Sequence, residues 1–320
     1  MFRAQRVFDG SRLLPALLVL VTGCASIPPS VSELPAPGGS IELEDTPFYP
    51  QERYQCGPAA LTTVLVKSGA TVSLDEIVDK VYLPGRQGSL QFELLAAVRT
   101  EGRLPYQVDG TLDAIWRELE AGRPVLVLQN LGVAAIPSWH YAVVIGIDAR
   151  RGEIVLRSGT DKRRVTRIRT FLHTWRRGDY WGIVVLEPGE LPAAADRARY
   201  FESVAALEEA GRIEGAAAAW QAGLDNWPGD NVALFGLANS RFAMRDYQAA
   251  ERAYRDLLEQ RPGLLAARNN LALTLAEQGN HDAALKEIGR ALSENPAPAL
   301  ERELRDTEAT IRHRMTSGEQ

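Results

Sequence analysis

Apolar and polar positions alternate in two different rhythms along this chain. Between residues 56 and 122 the spacing is helical, in four runs that start at Cys56, Ser73, Ser89 and Thr111. Ser73 and Ser89 stand where a helix N-cap is preferred, and Gly69 and Gly122 stand where a helix stops. From residue 124 the apolar runs shorten or alternate, predicting strands at 124–129, 140–148, 153–157, 165–170 and 180–186. Helices followed by an antiparallel sheet make an α+β layout. Beyond residue 197 the helical rhythm returns and repeats itself, with Pro228, Pro262 and Pro296 recurring every 34 residues.

The repeating half resembles a tetratricopeptide array. Its first unit, from Arg197, holds Tyr200, Gly211, Ala216 and Trp220 at the expected positions. The second, from Asn231, holds Leu234, Ala238, Tyr247, Ala250 and Tyr254; the third, from Leu265, holds Leu271, Ala272, Gly279, Ala284 and Ala291. Small alanines let paired helices approach, and aromatics fill the gaps between them. A polar helix at 300–314 suits the cap that such arrays need. The resemblance implies an all-α solenoid over 197–320 that binds protein partners.

The chain's beginning belongs to neither pattern. Arg3, Arg6 and Arg12 precede an apolar run at 13–21 that is too short to cross a bilayer of ~30 Å. Val21-Thr22-Gly23-Cys24 follows and resembles a bacterial lipobox, implying cleavage after residue 23 and acylation of Cys24. The alternative is a plain secretory signal that happens to hold a cysteine. Ala25 stands where an Asp would direct inner-membrane retention, which favours the periplasmic face of a Gram-negative outer membrane. Residues 24–45 are rich in Pro, Ser and Gly and read as a flexible tether. At 45% hydrophobic and 24% charged, the rest has the composition of two ordinary folded domains. The net charge is -5, near -7 without residues 1–23, so electrostatics offer no case for a nucleic-acid partner.

Only two cysteines occur, and once Cys24 is given to the lipid, Cys56 has no intramolecular partner. Cys56 reads either as a small buried hydrophobe or as a reactive thiol. Its place at a helix start favours the second, because the macrodipole and unpaired N–H groups there lower a thiol pKa and can hold an oxyanion. Of the four histidines, His281 and His313 fall in the repeat half, and His173 lies in a polar helical stretch. His140 heads an apolar strand and is the candidate base.

The residues around Cys56, together with Trp139-His140-Tyr141-Ala142-Val143-Val144-Ile145-Gly146-Ile147-Asp148, resemble the bacteriocin-processing, double-glycine leader peptidases, a papain-like branch of cysteine peptidases. The likeness covers about 45–188 and implies a papain-like α+β domain over 46–190, with Cys56 as nucleophile and His140 as base. It implies a Gln as oxyanion ligand, for which Gln51 is the better match and Gln55 the neighbour. The residue that orients the His, an Asp in the family, departs from the pattern. Ser158 falls near that position and Asp161 three residues on, whereas Asp148 lies too far along the same strand to reach His140.

The basic cluster Lys162, Arg163, Arg164, Arg167 and Arg169 reads as a groove flank or as a charged sheet edge. No zinc-ligand spacing or phosphate-binding loop occurs, so no cofactor is expected. The expected activity is peptide-bond hydrolysis by a thiol, with the repeats recruiting partners. The alternatives are a weak or inactive papain-like adaptor, and an acyl or amide hydrolase such as one that trims peptidoglycan.

Overall fold

The computed structural model describes residues 39–51, 55–133 and 135–317. The signal peptide, Cys24 and most of the tether lie outside them. The first half comprises strands β1 (Ser40–Glu42), β2 (Leu104–Gln107), β3 (Val125–Asn130), β4 (Trp139–Asp148), β5 (Glu153–Ser158), β6 (Asp161–Arg167) and β7 (Gly182–Leu186). Its helices are α1 (Cys56–Lys67), α2 (Leu74–Val81), α3 (Gln91–Thr100), α4 (Leu112–Glu120) and α5 (Ile168–Arg176). The strands form one antiparallel sheet in the order β2-β7-β3-β4-β5-β6, and β1 pairs with the far half of β4.

The two faces of β4 are buried under different elements, and this places the site. Tyr141, Val143 and Ile145 pack under α1, α2 and α3, with Leu61 and Leu65 fully buried there. Ala142 and Val144, on the other face, join α4, α5 and the start of the helical half. Burial on both faces explains why β4 reads as a continuous apolar run. Ser73 caps α2 in a complete capping box, and Thr111 caps α4.

Three expectations are corrected. The tether's last residues are not free chain. Ser40–Glu42 is a strand whose approach depends on Gly146, where a Cβ would sit 2.7 Å from the Ile41 carbonyl oxygen. Arg157 fastens the following segment by donating to the carbonyls of Glu44 (2.9 Å) and Thr46 (2.8 Å). The strand expected at 165–170 is instead β6 at Asp161–Arg167, after which Ile168, Phe171, Leu172 and Trp175 bury one face of α5. β6 is an edge strand with no apolar face, so period-2 reasoning cannot see it. Its charges suit an unpaired edge. β2 was not expected; it is short and lies at the opposite edge.

The second half is the helix run α6 (Arg197–Glu209), α7 (Ile213–Asn226), α8 (Asn231–Ala243), α9 (Tyr247–Gln260), α10 (Leu265–Glu277), α11 (His281–Ser293) and α12 (Pro298–Ser317). The first helices of successive pairs begin at 197, 231 and 265, in step with the 34-residue period. Gly236 admits the Trp220 indole, since a Cβ there would lie 2.3 Å from the ring. Tyr200, Phe201, Val204 and Trp220 are continuous with the core under β2 and α4. Tyr106 Oη accepts from the Asp196 N–H at 3.0 Å, and Arg199 pairs with Asp109 at 2.9 Å. Among the described residues, no helix is long and apolar enough to cross a membrane.

Candidate active site

Cys56 is the first residue of α1, directly after Gln55, whose side chain makes no capping bond. Gly57 is obligatory there, because a Cβ would lie 2.6 Å from Ser89 Oγ. The thiol opens into a cleft of about 650 Å³ whose walls include Arg86, Ser89, Leu128, Trp139, Tyr141 and Asp179. Trp139 is 54% exposed at the rim. The phenol of Tyr141 lies beside the cleft and donates to the Ser89 carbonyl at 3.4 Å; burial, then the Cys56 charge, raises its pKa.

The thiol itself is pushed up, not down. Burial is the largest cause, and the N–H groups of Tyr141, Gly57 and Cys56 offset it only in part. This overturns the expectation that the helix start alone makes Cys56 a ready thiolate: loss of water outweighs the dipole at this depth.

His140 stands between the two cleft aromatics on β4, one residue out of phase with them. It lines a separate small cavity on the α5 side together with Ser158 and Arg164. Nε2 lies 2.8 Å from Ser158 Oγ. Burial, and then the nearby Arg164 cation, lower the ring pKa from 6.5 to about 4. The chain therefore rests with a neutral thiol and a neutral imidazole, not an ion pair. Nε2 is engaged with Ser158. The thiol's polar neighbour on this strand is the N–H of Tyr141, the residue after His140. Thiol and imidazole are not hydrogen-bonded to each other in this unliganded state; catalytic pairs often tighten only around substrate.

Of the two residues considered for orienting His140, Ser158 meets it. Asp161 is exposed at the start of β6, with its carboxylate 3.9 Å from Arg164. A hydroxyl can donate or accept, so Ser158 does not by itself fix the tautomer and adds no charge to support an imidazolium. Gln51 does not line the Cys56 cleft. Its N–H donates to the Gly159 carbonyl at 3.2 Å, and it lines a crevice with Ala59, Thr63 and Ser158. Residues 52–54, between Gln51 and the helix, lie outside the described residues. Asp148 caps the β4–β5 turn by accepting from the Arg151 N–H at 3.0 Å. Sequence reasoning did not single out Trp139, Tyr141 or Ser89 as cleft residues, although the first two are signalled by period 2 about His140. Among the described residues, no cluster of His, Cys, Asp and Glu is arranged to hold a metal ion.

Each half of the chain matches a family model. Residues 43–180 match the model of the Peptidase_C39 like family, and residues 235–298 match that of the tetratricopeptide repeat. Among solved structures, a C39-like peptidase from Bacillus anthracis is similar at 14% identity and a TM-score of 0.40, covering 47% of this chain and 98% of its own. A double glycine motif protease from an AMS/PCAT transporter, in complex with its leader peptide, is similar at 18% identity and a TM-score of 0.33, covering 43% and 89%. No curated protein matches the chain.

Proposed function

Starting from a C39-like domain joined to tetratricopeptide repeats, we propose that the chain is a cell-envelope thiol peptidase whose repeats recruit a protein substrate or partner. The observation that carries the reading is a helix-start cysteine opening into a cleft, against the strand that bears His140 hydrogen-bonded to Ser158. Cys56 Sγ attacks the scissile carbonyl carbon while its proton passes to His140 Nδ1. The Cys56 N–H and Gln51 receive the oxyanion, for which Gln51 moves into the cleft on substrate binding. Collapse breaks the C–N bond, and the imidazolium protonates the leaving amine. Water, deprotonated by the same ring, then hydrolyses the thioester and frees the thiol. Ser158 serves when it accepts from Nε2–H, since only that tautomer leaves a lone pair on Nδ1.

The reading includes export, cleavage after Gly23 and acylation of Cys24, with the mature chain on the periplasmic face of the outer membrane. Labelled fatty acid entering the wild type and not Cys24→Ala is the expected result. For the chemistry, the mature protein is incubated with a peptide library and the products read by mass spectrometry. Cleavage is expected in the wild type and lost in Cys56→Ser; products that persist in Cys56→Ser refute the peptidase.

One observation favours a second reading. Ser158 stands where the family places an acid, and the buried His140 resists protonation. A domain with that site serves equally as a binding module for envelope proteins. Under this adaptor reading Cys56→Ser leaves the cellular phenotype intact, whereas under the peptidase reading it reproduces the deletion.

A further inference from the structure

The residue that orients His140 has lost its charge, and the space around it has not closed. A cavity of about 60 Å³ adjoins the ring, lined by His140, Ser158, Arg164, Thr166, Thr170 and Thr174 over the apolar floor of Leu156 and Phe171. One water needs roughly 10–15 Å³ of such space, so the cavity takes a few waters or one ligand of three or four heavy atoms. Its charges are of one sign, and Gln129, which also lines it, donates its amide N–H to Thr174 Oγ1 at 2.6 Å. Arg164 brings a cation and His140 becomes one when it takes a proton. The hydroxyls of Thr166 and Thr170 have no hydrogen-bond partner among the described residues, and Ser158 Oγ bonds only to His140. The one carboxylate nearby, Asp161, is exposed and 3.9 Å from Arg164, a separation at which a surface pair holds little. Arg164 and Thr170 are themselves exposed, so the cavity communicates with solvent.

We propose that this cavity binds a small free carboxylate, of formate or acetate size, which stands in for the acid missing beside His140. The proposal rests on the peptidase reading for its consequence and on the cavity alone for its binding. One carboxylate oxygen accepts from Arg164, and the hydroxyls of Thr166 and Thr170 donate to the pair. The fixed negative charge beside Nε2–H selects the tautomer with a free Nδ1 and supports the imidazolium that forms as Cys56 gives up its proton. No covalent step involves the anion. It makes the site's activity depend on a small metabolite or medium component, where the family's acid would make it constitutive.

The test uses the mature chain with labelled histidine rings, His140 being assigned by its absence in His140→Gln. Formate and acetate are titrated at constant ionic strength, balanced with benzenesulfonate, which is too bulky to enter. The His140 midpoint is expected to rise saturably, by about tenfold in proton affinity, while His173, His281 and His313 stay put. Benzoate gives no rise, Arg164→Gln abolishes the response, and Ser158→Asp starts high and does not respond. Alkylation of Cys56 by iodoacetamide near pH 6.5 accelerates about tenfold in parallel. An unchanged His140 midpoint overturns the site, as does the same shift in Arg164→Gln. A midpoint that moves while wild type and His140→Ala are alkylated equally leaves the site standing and removes the peptidase reading.

Discussion

Ser158→Asp supplies the missing charge directly. It sets a carboxylate where the hydroxyl now lies 2.8 Å from His140 Nε2, with the adjoining cavity of about 60 Å³ to take the added atoms. Burial and Arg164 hold the ring at about 4 against an ordinary 6.5. At ~1.4 kcal/mol per tenfold, charging it costs about 3 kcal/mol more than in water. A carboxylate ~4 Å away at an effective dielectric of ~20 is worth about 4 kcal/mol. Desolvation of the new carboxylate takes back part of that gain. Opposite charges at such range shift a pKa by about 1–3 units, so the net recovery is about 1.5–3 kcal/mol. The thiolate–imidazolium population scales one for one with the affinity of His140 for its proton. Alkylation of Cys56 at pH 6–7 should therefore rise about 10- to 100-fold, read from iodoacetamide kinetics between pH 4 and 9 with the modified peptide identified by mass. Ser158→Asn offers an acceptor without charge and should gain less than tenfold. A folded Ser158→Asp no faster than wild type, or Asn equal to Asp, shows that charge at position 158 does not control the proton affinity of His140.

The depressed His140 also governs acid stability. Its folded pKa, about 4, lies below the unfolded 6.5, so the unfolded chain binds the proton first. Its contribution is fully present above ~6.5 and is lost as pH falls towards 4, by up to about 3 kcal/mol. His140→Gln should flatten that slope relative to wild type in urea titrations at pH 4.5 and 7.5, and parallel slopes would contradict it. Gly57→Ala pushes a Cβ to within 2.6 Å of Ser89 Oγ and should cost about 1–3 kcal/mol; Gly57→Ala with Ser89→Gly should recover most of it in thermal melts. Tyr106→Phe removes the acceptor of the Asp196 N–H at the junction of the two halves. A loss of about 1–3 kcal/mol and faster amide exchange at Asp196 are expected; unchanged exchange speaks against a load on this bond.

Where a residue's surroundings are local, the sequence announces them. α2 follows from Ser73 and Glu76, which form its capping box, and α1 from the run that begins at Cys56 and ends before Gly69. The repeats follow from a period that needs no partner to be seen, and the helix starts keep it. What stayed hidden depends on tertiary pairing. β1 is held by a glycine some hundred residues away and the segment after it by Arg157, and β6 is a strand through its ladder to β5, with no apolar face of its own. The site divides in the same way. Cys56 and His140 can be picked out by residue type and setting, Ser158 only through the family resemblance, and Ser158 does meet the imidazole. The direction of the thiol's pKa cannot be read that way, because the dipole is visible in the helix start and the burial that outweighs it is not. The arginine that faces His140 looks, in sequence, like any other charge on an exposed edge.

Whether His140 takes the proton of Cys56 is read from the thiol's own reactivity. Mature wild type, His140→Ala and Cys56→Ala are treated with iodoacetamide at pH 7, and the rate of modification at residue 56 is followed by mass spectrometry. Modification is expected in wild type, at least tenfold slower in folded His140→Ala, and absent at residue 56 in Cys56→Ala. Equal rates in wild type and His140→Ala mean that His140 does not take the Cys56 proton.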